Sequence, residues 1–173
     1  MSISSDGIIN MSAAANLWAF SGQDGVVNYW IDRRGIGQLY GLPVSRQEAR
    51  YINKTFQFLD DITGLTFQKV RSSFISDIDI HCVSRLGRNT LGITKTMPDW
   101  FDVLWQDSGG NRVSSTEKWV IPHEIGHAVG LGHPYGDGFN PFFNRADTIM
   151  SYNRGGSFFT DSDRNALQVL WGL

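Results

Sequence analysis

Apolar and polar residues alternate along several short stretches of the chain, and in two places the period lengthens to that of a helix. Val26-Val27-Asn28-Tyr29-Trp30-Ile31 is β-branched and aromatic and predicts a first strand. From Ser45 the period changes. Ser45-Arg46-Gln47-Glu48 forms a capping box, and Ala49, Ile52, Phe56 and Leu59 follow at helical spacing, predicting a helix that ends near Gly64. Leu65–Val70 and Ser76–Ser84 alternate again and predict a second and a third strand. Asn89–Lys95 reads as a short strand followed by a loop through Pro98, and Asp102–Trp105 as the last strand. Ser115–Pro122 leads into a further helix. At the end, Thr160-Asp161-Ser162-Asp163 caps a helix carrying Leu167, Leu170 and Trp171 at helical spacing. Before the first strand, residues 1–25 are rich in Ser, Ala and Gly and read as a peripheral segment with a short helix at Ser12–Phe20. Arg33–Leu42 reads as a Gly-punctuated loop.

A chain of 173 residues fits one domain with a real core. The net charge of −2 gives no electrostatic case for nucleic acid or an anionic membrane, and of the 15 basic residues only Arg33 and Arg34 are adjacent. No apolar run approaches the roughly 20 residues that span a bilayer. The polar start, Met1–Asp6, lacks the pattern of a signal peptide. The single cysteine, Cys82, excludes an internal disulfide and lies on a predicted strand.

The chemistry concentrates at His123-Glu124-Ile125-Gly126-His127-Ala128-Val129-Gly130-Leu131-Gly132-His133, which reads HExxHxxGxxH. Three of the four histidines of the chain lie here. On a helix, His123 and His127 are about one turn apart, so both imidazoles leave one face and can bind a single zinc ion. Glu124 points elsewhere and can reach a water held on that metal. Gly130 can adopt the left-handed conformation that ends a helix, which brings His133 back onto the same ion. His81, the remaining histidine, lies far away on a predicted strand, so a closed four-ligand structural site is not expected. Three protein ligands and an open position would let Zn²⁺ acidify water and polarise a carbonyl. Glu124 would then act as general base and return the proton to the leaving amine.

At these residues the chain resembles the metzincin metallopeptidases. Their second mark, a Met-turn, matches Asp147-Thr148-Ile149-Met150-Ser151-Tyr152. Pro134 directly after the third histidine and Tyr152 two residues after the Met look like the serralysin branch; matrix metallopeptidases usually carry Ser and Pro there. The resemblance runs from about Val27 to the end and is strongest over 119–172. It implies an α+β, zincin-like fold. That fold has a twisted, mostly parallel five-stranded sheet with an antiparallel edge, packed on two helices. A cleft separates residues 26–133 from a small C-terminal subdomain, 134–173, with the Met-turn and a closing helix.

The resemblance further implies a zinc endopeptidase acting on peptides or proteins, secreted, and expected to be a monomer. Tyr152 would be a mobile phenol that ligates zinc weakly in the free enzyme and later donates to the oxyanion. Met150 would form an apolar floor under the imidazoles. The strand at Leu91-Gly92-Ile93-Thr94 would pair with the substrate backbone. Phe139, Phe142 and Phe143 would line the pocket after the scissile bond or pack under their loop. The turn Asp107-Ser108-Gly109-Gly110-Asn111 offers oxygens to Ca²⁺ without a full loop signature. The other function class compatible with this pattern is an inactive zinc-binding module that binds peptides or proteins; such a module usually loses the acid/base residue, and Glu124 is present.

Overall fold

The computed structural model describes residues 2–107 and 110–172. Among them the elements run α1 (Met11–Phe20), β1 (Val26–Ile31), β2 (Gly41–Leu42), α2 (Arg46–Ile62), β3 (Thr66–Lys69), β4 (Ile78–Val83), β5 (Gly92–Thr96), β6 (Phe101–Gln106), α3 (Ser115–Ala128) and α4 (Asp161–Trp171). The sheet order is β3-β1-β4-β6-β5. The first four of these are parallel, and β5 runs antiparallel to β6, from Gly92 opposite Trp105 to Thr96 opposite Phe101. This is the expected α+β fold with a mixed sheet and an antiparallel edge. β2 is an addition: two residues paired antiparallel with β4, too short to leave an alternation in the sequence.

Period-2 side chains put Tyr29, Ile31, Ile78, Ile80, Phe101, Val103 and Trp105 on one face of the sheet. There they join Ile52, Phe56 and Leu59 of α2 and Val120, Ile121 and Ile125 of α3 in a single core. The opposite face carries Asp79, His81 and Asp102, which are buried nonetheless. The loop after β1 folds over them. Asp32 accepts the N–H groups of Arg34, Gly35 and Gly37, and the Gln38 amide donates to Asp102. His81 lies between Asp32 at 3.4 Å and Asp102 at 3.5 Å. A Cβ at Gly37 would stand 2.5 Å from the His81 ring, so the loop can approach this closely only with glycine.

α3 starts at Ser115, about two turns before His123, because Ser114 and Glu117 form a capping box. It continues through Pro122, which has no N–H to offer the carbonyl four residues back. That carbonyl, of Lys118, instead accepts the Tyr51 hydroxyl of α2 at 2.6 Å. The replacement bond explains how a proline is tolerated inside the helix that presents the histidines.

The N-terminal segment is not peripheral. Ile3, Ile8 and Leu17 are buried, and Ile9 forms an antiparallel bridge with Leu131. Asn10 N–H donates to the Gly130 carbonyl at 2.8 Å and Gly132 N–H to that of Ile8 at 2.7 Å. The segment thus braces the turn between the second and third histidines. Behind it α1 packs on α3, and its Phe20 ring lies 5.3 Å from that of Phe101 in β6.

Candidate metal and active site

α3 carries His123 and His127 on one face, with ring centroids 4.8 Å apart. The helix closes at Val129 and Gly130, whose φ of +100° is left-handed, and Leu131 N–H reaches back to the Gly126 carbonyl at 2.8 Å. The chain then returns His133 to 4.8 Å from the His127 ring and 5.4 Å from that of His123. The ligand atoms of the three residues lie within 4.8 Å of one another.

Their tautomers are set by carbonyls. His123 Nδ1–H donates to Ile149 O at 2.9 Å and His127 Nδ1–H to Leu131 O at 3.0 Å, which leaves both Nε2 lone pairs facing inward. Burial, reinforced by the neighbouring imidazoles, pushes His123 well below the ordinary histidine range and His127 down to about 4. Burial also lowers His133. All three are therefore neutral at pH 7. Nε2 of His123 and of His133 is buried without a hydrogen-bond partner. A buried, unpaired polar atom is costly, and three neutral imidazoles converging in this way fit one Zn²⁺.

Met150 is fully buried, and a Cβ on Gly126 would meet its sulfur at 2.9 Å. It therefore packs against bare helix backbone between the first two histidines. The turn that holds it is tied down by Asp163 at the start of α4, which accepts from Ile149 N at 2.9 Å, from Thr148 Oγ1 and from Thr160 N at 2.8 Å. The sequence marks Asp163 as a helix cap; its grip on the turn that carries Met150 is visible only in three dimensions.

Glu124 is 6% exposed, and burial raises its carboxyl to about 7, against the lowering effect of the Thr94 hydroxyl. Thr94 Oγ1 lies 2.7 Å from the Glu124 carbonyl and 2.9 Å from its Oε2. Gly92 makes room for the carboxylate: a Cβ there would stand 2.6 Å from Glu124 Cγ and 2.7 Å from its Oε1. Of the four residues expected to bind substrate, Gly92 and Thr94 therefore contact Glu124, while Leu91 and Ile93 are 43% and 37% exposed. β5 ends the sheet, so among the described residues one side of its backbone has no strand partner.

Two cavities of about 340 and 280 Å³ flank this strand, and Gly92, Glu124 and Tyr152 line both. Tyr152 lies 37% exposed with its ring 4.7 Å from that of His133. Burial first, and the Glu124 carboxylate second, raise its phenol, which stays protonated at neutral pH. Gly138 seats the ring, since a Cβ there would approach it to 2.5 Å. Phe139 lines the larger cavity and stands 5.0 Å from the Tyr152 ring, Phe143 packs against the core, and Phe142 is 74% exposed. Residues not anticipated from the sequence also contribute. Asn10 and Ala13 of the N-terminal segment line the smaller cavity. Arg145 stacks 4.4 Å over Trp119 and donates to the Tyr152 carbonyl, bracing the wall behind the phenol.

The turn Asp107–Asn111, which offers oxygens to Ca²⁺ without a full loop signature, falls partly outside the described residues, at Ser108 and Gly109. The Asp107 carboxylate lies near the Glu48 carboxylate and the Cys82 thiol, their polar atoms within 4.8 Å of one another. Burial raises the Cys82 thiol, which stays protonated.

No protein-family model matches the chain. It is 31% identical over 159 residues to matrix metalloproteinase-21 of Cynops pyrrhogaster and 30% identical over 159 residues to that of Xenopus laevis. Each alignment covers 80% of this chain and about a quarter of the relative, 24% and 25% respectively. At this distance the likeness supports a metzincin-type metalloproteinase catalytic domain. The finer placement in the serralysin branch, which rested on Pro134 and Tyr152, is not supported by these relatives.

Proposed function

We propose that the chain is a zinc-dependent endopeptidase that hydrolyses internal peptide bonds of proteins, acting as a secreted monomer. The observation that carries this is the convergence of unpartnered imidazole nitrogens of His123 and His133 beside the buried Glu124 carboxyl, which the edge strand β5 contacts through Thr94. Zn²⁺ held by His123, His127 and His133 supplies Lewis-acid polarisation and more acidic water.

The chain's own residues supply the rest. The free backbone edge of β5 aligns an extended peptide by strand addition. The Glu124 carboxylate takes a proton from the attacking water as its oxygen bonds to the carbonyl carbon. Glu124 then delivers that proton to the amide nitrogen as the C–N bond breaks, leaving a carboxylic acid and an amine. A carboxyl near pH 7 suits both halves of this cycle, since it both accepts and returns the proton at small cost. The protonated Tyr152 phenol donates a hydrogen bond to the carbonyl oxygen as negative charge gathers there. Met150 fixes the floor beneath the imidazoles.

The test compares wild type, chelator-treated wild type and Glu124→Ala on an unstructured protein substrate. The expected result is internal cleavage by wild type alone, with Glu124→Ala retaining one zinc and losing a factor of about 10²–10⁴. Peptide binding without cleavage by the zinc-loaded wild type would instead make the chain a binding module.

A further inference from the structure

At the sheet edge opposite the cleft lies a groove of about 440 Å³ between the loop after β1 and the turn Ser73–Ile75. Arg33, Arg34, Lys69 and Arg71 line it with Trp30 and Phe74, and no acidic side chain does. These cations are scattered at 33–34 and 69–71 in a chain of net charge −2, and the parallel pairing of β1 with β3 brings them together. Among the described residues none of the four makes an ion pair. The Lys69 ammonium is destabilised by burial and then by Arg33, so like charges crowd here without a counter-ion. Beside them Phe74 is 97% and Ile75 63% exposed, two large apolar side chains projecting from one short turn.

We propose that this surface docks the protein peripherally on an anionic phospholipid membrane, with Phe74 and Ile75 entering the interface and the four cations meeting lipid phosphates and carboxylates. A soluble polyanion would use the cations but would leave the exposed Phe–Ile tip without a role. A lipid surface uses both, because its headgroups are charged and the layer beneath them is apolar. Four strand spacings separate β3 from β5, about 19 Å. Docking at β3 therefore leaves the β5 edge open to a substrate. The fold needs no spanning helix for this, and among the described residues no helix is long and apolar enough to cross a membrane.

The experiment is co-sedimentation of the full chain with vesicles of phosphatidylcholine, with and without phosphatidylserine, at low and physiological salt. Binding is expected only with phosphatidylserine and weaker at higher salt, since each basic residue near the surface adds about fivefold in affinity. Phe74→Ser/Ile75→Ser should weaken it by about tenfold or more. Arg33→Glu/Arg71→Glu should abolish it. All four positions lie at the surface, and thermal melts of both variants should match wild type. No binding to phosphatidylserine vesicles at low salt overturns the proposal. So does binding that is indifferent to the Phe74/Ile75 change and fully competed by a sulfated polysaccharide, which would assign the groove to a soluble polyanion. Neither outcome depends on whether the chain cleaves peptides.

Discussion

Replacing Gly92 by alanine adds one methyl group at the point where β5 faces the proposed base. That methyl would sit 2.6 Å from Glu124 Cγ, 2.7 Å from Glu124 Oε1 and 2.7 Å from Val120 Cγ1. An ordinary contact starts at 3.4 Å, so relief requires a displacement of at least about 0.8 Å (3.4 minus 2.6). Val120 is 2% exposed and belongs to the core, so the carboxylate moves more readily than the valine. Moving a catalytic group by about 1 Å costs on the order of 10² in rate, and overpacking costs about 1–3 kcal/mol in stability. Gly92→Ala should therefore lower kcat/KM on a fluorogenic peptide about 100-fold, lower Tm modestly and leave one zinc per chain, because none of the three histidines is touched. Thr94→Val is the companion variant. It removes the hydroxyl from the same carboxylate without adding bulk there, and should cost about tenfold less than Gly92→Ala. If Gly92→Ala keeps activity within about twofold of wild type, the carboxylate position set by β5 does not limit catalysis and the reasoning fails.

Tyr152→Phe should reduce kcat about tenfold with little change in KM and full zinc content, because its phenol acts only as charge develops; a rise in KM alone would make Tyr152 a wall of the site. Asp163→Ala should destabilise the protein by about 3 kcal/mol or more in chemical denaturation, since it strands buried donors at Thr148 and Ile149 together with a helix cap; a loss under about 1 kcal/mol would mean that water replaces the carboxylate. Asp79 is raised from 3.8 to about 6, chiefly by burial and further by Asp102 and Asp32, against the Ser76 hydroxyl. The fold therefore favours its protonated form, so that contribution to stability is complete below pH about 4 and is lost as pH rises through about 6. Asp79→Asn should raise Tm at pH 8 and not at pH 4, and an equal effect at both would contradict the assignment.

The helix that carries His123 and His127, the left-handed break at Gly130, the long capped helix and the closing helix are all legible in the sequence, and for one reason. Each depends on spacing within a single turn or helix face, which the order of residues specifies directly. The β-branched, aromatic and alternating stretches likewise mark β1, β3, β4 and β6, because successive residues of a strand face opposite sides of the sheet. What the linear order leaves open is which residues from distant segments share a site. Gly92 and Thr94 read as substrate contacts, yet in the fold both touch Glu124, because the antiparallel edge runs over α3. Asp163 reads as a cap, and its carboxylate also holds the turn that carries Met150. Pro122 lies inside α3 and leaves the Lys118 carbonyl without its helical donor, and only the docking of α2 supplies the hydroxyl that replaces it. Residues 1–25 read as peripheral, and they brace the turn between His127 and His133. The four cations read as dispersed until two parallel strands align them. Each of these depends on contacts between residues far apart in the chain. Such contacts follow from how sheet and helices pack, and no local period encodes them.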